Sequence, residues 1–216
     1  MALIRVNATR MEYNKIRDRL RSSQRGHKML KSKRDDLVKH FVVLARQNRD
    51  LREIIEKKMA AVYESFLIAE ALMSPAALED ALMFPRQLSS VEADTQNLMG
   101  VDIPVYKYST KGDIYPYGLY STSGELDIAV EEMSELVPQL LELAQIEKSL
   151  QLLAREIEKT RRTVNALEYV RIPNLQQTVK YIRMKLEGNE QSNTTRLMKV
   201  KDMMIKNTGS YGKTSE

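Results

Sequence analysis

The chain has no cysteine and no tryptophan, and only 3 Phe among its 216 residues. Without Cys it has no disulfides and no thiolate metal sites. That composition fits a reducing compartment. Aromatics make up 6% of the residues, so a thick globular core lacks its usual bulk. A thin leucine-rich seam is expected instead. Glycine and proline are also scarce, 8 and 6 in all, and most of them cluster between residues 74 and 124. Long apolar runs are missing too: Phe41 to Ala45 is a typical maximum, far short of the ~20 residues that span a bilayer. Arg5 and Arg10 interrupt any apolar start, so no signal peptide is expected. The expectation is a soluble, cytoplasmic protein. There is no HExxH, no Walker loop and no GxGxxG, so zinc and phosphate chemistry have no cradle. No catalytic, cofactor or metal site is expected, and the chain reads as a non-enzyme.

Two long stretches carry a coiled-coil repeat. Steps of three then four residues from Tyr13 pass through Ile16, Leu20, Ser23, His27, Leu30, Arg34, Leu37, Phe41, Leu44, Asn48, Leu51, Ile55, Lys58, Val62, Ser65, Ala69 and Leu72. Most of these slots are apolar or Tyr. A strict three-four alternation is the period of a left-handed supercoil. The second seam reads Leu126, Ala129, Met133, Leu136, Leu140, Leu143, Glu147, Leu150, Ala154, Ile157, Arg161 and Val164. It slips at Pro173 and resumes at Leu175, Val179, Ile182 and Leu186. The predicted fold is all-α: a long antiparallel two-helix left-handed coiled coil with a small middle insertion. A first helix of roughly 65 residues at ~1.5 Å each would be about 100 Å long.

Breakers divide the chain into residues 1–73 (first helix), 74–122 (short helix and β-hairpin), 123–206 (second helix) and 207–216 (flexible tail). Ser74-Pro75 ends the first helix, because a residue before Pro leaves the helical region. Ser74 then caps a short helix with Pro75 at its first position. Phe84-Pro85 stops that helix. Val101, Ile103 and Val105 alternate with polar or Pro neighbours, and Ile114 to Tyr120 follow the turn-like Thr110-Lys111-Gly112-Asp113. The expectation is a hairpin made of these two segments. Ser123 caps the second long helix.

The net charge of +5 hides a larger asymmetry. Residues 1–34 hold eleven Lys/Arg and two acids, and residues 155–216 hold thirteen and seven. The middle, 35–154, is left with −10. Antiparallel helices would gather both basic segments at one end, which would suit a complementary acidic socket. Few aromatics interleave with these charges, which weakens a single-stranded nucleic-acid reading. The charges surround the helix, which weakens a membrane-surface reading. A nucleic-acid-binding or scaffolding coiled coil with a basic tip is the alternative, and steep salt sensitivity would reveal it.

A polar residue in a seam fixes register more often than it binds metal, and His27 is read so. Antiparallel pairing brings Arg34 near Glu168 and His27 near Arg171 to Pro173. An Arg34–Glu168 pair is expected to set register. Pro173, inside a helix, removes a hydrogen bond at about 3 kcal/mol or more, either as a tolerated kink or as a deliberate bend. Gly26 is read as a small residue at a close helix approach.

Two segments carry a resemblance. One is Arg25-Gly26-His27-Lys28-Met29-Leu30-Lys31-Ser32-Lys33-Arg34-Asp35-Asp36-Leu37. The other is Val164-Asn165-Ala166-Leu167-Glu168-Tyr169-Val170-Arg171-Ile172-Pro173-Asn174-Leu175, continued by Thr178 to Ile182 and Arg196 to Lys201. With Asn7-Ala8-Thr9-Arg10 they resemble the D subunits of V-type and A-type rotary ATPases, of the prokaryotic type. Thr194-Thr195 departs from the aromatic expected before Arg196. The resemblance implies a non-catalytic central axle without nucleotide or other cofactor. Its paired termini would enter a hexamer of A and B subunits, a small F subunit would pack beside it, and a funnel-like subunit on the membrane ring would hold its other end. It implies no nucleic acid and no direct membrane insertion, but a cytoplasmic protein peripheral to the membrane. Turning the axle would couple ATP hydrolysis or synthesis to H⁺ or Na⁺ transport. Within that reading, charge position marks Arg5, Arg10, Arg17, Arg161, Arg162, Arg196, Lys199 and Lys201 as the hexamer contacts.

Overall fold

A computed structural model describes residues 6–118, 120 and 122–211, with side chains through residue 205. The described chain is mostly helical, with one two-stranded antiparallel sheet. Helix α1 runs Arg10–Leu72, α2 Pro75–Leu82 and α3 Gly124–Ala166. A π-helical turn, Leu167–Arg171, leads into α4, Ile172–Tyr211. Helix α4 therefore takes in Asn207 to Tyr211, which were expected in the tail; no proline there stops the helix. The strands are β1, Leu88–Leu98, and β2, Val101–Lys111.

Local chemistry explains the starts. Thr9 Oγ1 accepts from the Glu12 N–H at 3.2 Å, which puts a Thr at the N-cap and a Glu three residues on. Ser74 Oγ accepts from Ala77 N–H at 3.3 Å, with Pro75 opening α2. Ser123 Oγ accepts from Glu125 N–H at 3.2 Å at the head of α3. Each satisfies a donor that the first helical turn leaves over.

Contacts divide the chain into two compact units: Met1–Ser32 with Thr160–Glu216, and Lys33–Lys159. In the first unit Ile16, Leu175 and Ile182 are buried together, flanked by Tyr13, Leu20, Val179 and Leu186. Arg10 meets Glu190 and His27 meets Glu168. Rising numbers on α1 thus face falling numbers on α4, so the two run antiparallel.

The second unit has two clusters. Leu37, Val101 and Leu153 join α1, β2 and α3. Ala69, Ala81 and Leu126 join α1, α2 and α3. The expected three-four series in α1 lies on its inner face: only Lys58 and Leu72 of that series are exposed. In α3 the expected series needs a correction. Glu147, Ala154 and Arg161 are exposed, while Ile146, Ser149, Leu153 and Thr160 are buried. Three slots after Leu143 move back by one residue, to Ile146, Leu153 and Thr160, while Val164 is buried where expected; Ile146 and Leu153 offer apolar area that Glu147 and Ala154 do not. Pro138 also sits within α3. It has no N–H for the Ser134 carbonyl, yet the helix continues through it.

The hairpin is displaced from its expected place. Val101 to Tyr106 do form strand, but their partner is β1, not Ile114 to Tyr120. The register is unbroken from Leu88↔Lys111 to Leu98↔Val101. The turn is Met99-Gly100, with φ 56° and 86°; two positive φ values make a turn whose twist matches the strands. Gly100 N–H donates to Asn97 Oδ1 at 2.9 Å. Gly112 does not turn a hairpin. Its φ is 109°, and a Cβ there would lie 2.3 Å from the Arg86 carbonyl oxygen, so only Gly closes the hairpin base. Every residue of β1 except Leu98 is exposed. With neither face buried, no hydrophobic alternation marked the strand in the sequence.

Candidate partner-binding surface

Among the described residues no group of His, Cys, Asp or Glu could hold a metal ion. None of the described helices is long and apolar enough to cross a membrane. Charge and exposed side chains outline the candidate surface.

Charge also separates between the two units. Residues 1–32 with 160–216 hold 20 Lys/Arg against 7 acids, net +13; residues 33–159 hold 14 against 22, net −8. Seven of the eight expected contact residues are described, and all fall in the basic unit: Arg10 and Arg17 on α1, Arg161 and Arg162 on α3, and Arg196, Lys199 and Lys201 on α4. All seven are exposed. Arg5 lies outside the described residues. Arg10 Nη2 donates to Glu190 Oε1, with both side chains mostly exposed. Such a pair contributes ~1 kcal/mol at most, so Arg10 can exchange Glu190 for another carboxylate at little cost.

Helix α4 is exposed from Glu187 to Ile205 throughout. Leu197, Met198, Val200, Met203 and Ile205 are each about half exposed or more, interleaved with Arg196, Lys199 and Lys201. Exposed apolar side chains interleaved with basic ones make this part of α4 a candidate partner-binding surface.

The expected register residues are brought together differently. His27 Nε2 lies 3.2 Å from Glu168 Oε2, and the His27 side chain is largely covered. Arg34 instead donates to Asp35 Oδ1 through Nη2 at 2.7 Å and Nε at 3.0 Å. His27 thus takes the carboxylate expected for Arg34. Gly26 also needs a correction: a Cβ there would meet nothing within 4 Å, so no close helix approach demands glycine.

Glu168 stands on the π turn, and Pro173 explains why the turn is there. Proline has no N–H, and its ring presses on the carbonyl four residues back, that of Tyr169. Widening the preceding turn relieves that pressure, and Ile172 N–H reaches back to the Leu167 carbonyl. The wider turn leaves Tyr169 68% and Val170 58% exposed. One turn later Thr178, itself buried, donates its hydroxyl to the Asn174 carbonyl at 2.7 Å, a bond that bends helices. The sequence marked Pro173 as a kink; a π turn at functional positions is a frequent device, and Pro after a helical run was the only signal for it.

Comparison with known proteins gives a consistent result. The family profile for the D subunit of ATP synthase matches residues 12–202. The V-type ATP synthase D subunit of Acetivibrio thermocellus is 55% identical over 215 residues, covering 98% of this chain and 97% of that protein. That of Clostridioides difficile is 54% identical over 209 residues, covering 95% and 94%. One from Clostridium botulinum is 48% identical over 206 residues, covering 93% and 95%.

Proposed function

Because the chain belongs to the family of V-type ATP synthase D subunits, we propose that it is the central axle of a rotary ATPase. The observation that carries this reading is the likeness to a V-type ATP synthase D subunit over 98% of the chain. In this reading the paired helices wind as a left-handed antiparallel coiled coil. That motif resists twist, because each inward side chain is held by several on its neighbour. The axle turns within a hexamer of A and B subunits, with F beside it and a funnel-like subunit on the membrane ring. It is non-catalytic and peripheral to the membrane.

The proposed mechanism is differential contact. An axle unsymmetrical about its axis presents a different face to each of three equivalent A–B interfaces. Each face favours a different openness, so rotation biases nucleotide affinity and nucleotide turnover biases rotation. The π turn before Pro173, with Tyr169 and Val170 standing exposed, supplies a break in helical symmetry that such a device requires. The net charge of the basic unit predicts acidic residues lining the hexamer cavity. Arg5, Arg10, Arg17, Arg161, Arg162, Arg196, Lys199 and Lys201 are the proposed contacts. His27 and Glu168 would hold register, and Pro173 the shape.

The test replaces all eight basic residues with Gln in the assembled ATPase. ATP hydrolysis and ion transport are then measured together. The expected outcome is a loss of transport per ATP hydrolysed, while the variant keeps its helical content. Unchanged coupling would overturn the contact assignment. Purification through a C-terminal tag without A and B subunits would overturn the axle itself.

A further inference from the structure

The two edges of the hairpin differ. A two-residue turn makes Leu98↔Val101 a hydrogen-bonded pair, and such pairs recur at every second residue. The groups of Ser90, Glu92, Asp94 and Gln96 therefore face β2, and those of Ser89, Val91, Ala93, Thr95 and Asn97 face away. Two bonds agree with this parity. Tyr106 N–H, on the outer edge of β2, donates to Gln145 Oε1 of α3 at 2.9 Å. Thr95 N–H, on the outer edge of β1, donates to its neighbour Asp94 Oδ1 at 2.8 Å. Pro104, opposite Thr95, falls on the outer edge of β2, where its missing N–H costs the ladder nothing. The β2 edge is thus closed by α3 and by proline.

The β1 edge is open along Ser89, Val91 and Ala93. It has no Lys, no Pro and no bulge, the usual devices that blunt a free edge. Two further features say what fits there. On one face of the sheet, Ser89 and Tyr108 form part of the wall of an apolar recess of about 440 Å³, which Val62, Tyr63, Phe66 and Met133 also line. On the other face stands exposed Glu92. Its cross-strand neighbour Lys107 turns instead toward Asp94, at 3.4 Å.

We infer that the outer edge of β1 receives a β-strand from another protein of the assembly. That strand pairs with Ser89, Val91 and Ala93, carries a large apolar side chain into the recess beside Ser89, and sets a basic side chain against Glu92. Added strands gain affinity from main-chain bonds and specificity from pockets for alternate side chains. A second copy of this chain fits poorly. Antiparallel self-pairing centred on Ala93 sets Glu92 of one copy against Asp94 of the other, and like charges directly opposite are unfavourable. The inference rests on the axle reading only in that the partner belongs to the same assembly.

Amide hydrogen exchange at single-residue resolution tests this on the full chain, alone and within the purified ATPase. In the isolated chain, Ser89, Val91 and Ala93 should exchange freely while Ser90, Glu92 and Asp94 are protected. In the complex the outward amides should slow by roughly 100-fold. Val91→Pro removes one outward donor and leaves the β1–β2 ladder whole. In that variant, protection of Ser89 and Ala93 in the complex should fall while Ser90 and Glu92 stay protected in the isolated chain. Glu92→Lys should produce a partial loss of the same protection. Equal outward rates in chain and complex would overturn the proposal. Undiminished protection in Val91→Pro would mean the edge is covered by something other than a strand. Concentration-dependent protection in the isolated chain would mean a second copy is the occupant. Full protection in Glu92→Lys would overturn the basic partner residue. Failure to recover any ATPase complex would count against the axle reading instead.

Discussion

The two units solve the same packing problem differently. In the basic unit, Ile16, Leu175 and Ile182 share a narrow core between α1 and α4, with no sheet beside them. In the acidic unit, α1 and α3 are joined by α2 in one cluster and by β2 in the other. The unit with the thinner core carries net +13 and the unit with the braced core −8. The basic unit repels itself and leaves much of α4 in water, as suits a surface completed by oppositely charged partners. The acidic unit buries more of its own apolar surface and so depends less on such partners.

The comparison can be broken first at the cores. Leu153 is fully buried where three elements meet, and Leu153→Ala should cost about 4 kcal/mol, in the upper part of the usual range. Ile182, equally buried but against α1 alone, can be compensated by closer approach of one neighbour. Ile182→Ala should cost about 2 to 3 kcal/mol. Urea unfolding of both variants measures the gap, and equal costs would show that the sheet adds no stiffness. A smaller effect is expected at the hairpin base. Gly112→Ala meets the Arg86 carbonyl and a positive φ. It should cost roughly 1 to 3 kcal/mol and raise amide exchange along β1 and β2 without altering the basic unit. The smallest effect has the opposite sign. Gly26→Ala, on an open stretch of α1 in the basic unit, should stabilise by about 0.5 to 1 kcal/mol. A loss there would mean that a partner, and not the chain itself, needs the glycine.

Local rules made much of this legible. Ser74 and Ser123 announce helix starts through hydroxyls that reach donors two or three residues away. Pro75 and Pro173 act on the backbone beside them. The three-four series of α1 tracks its buried face because helical period is a local property. Where expectation and structure part, the deciding contact was distant. Strand β1 carries no alternation, since neither of its faces is buried. Its pairing with β2 depends on a turn at Met99-Gly100 that positive φ alone reveals. The Glu147 and Arg161 slots in α3 came from extending a strict period. The structure buries Ile146 and Thr160 instead.

The candidate surface divides the same way. The sequence by itself determined the long helices, their caps, the break at Ser74-Pro75 and the excess of positive charge at both ends of the chain, because each follows from residues a few positions apart. Only the tertiary structure decided that those charges share one unit, that Glu168 meets His27 while Arg34 turns to Asp35, and that β1 is left with an open edge. The shared charge and the His27–Glu168 contact depend on which residues more than a hundred positions apart in sequence come together. Packing makes that choice, and no local preference does.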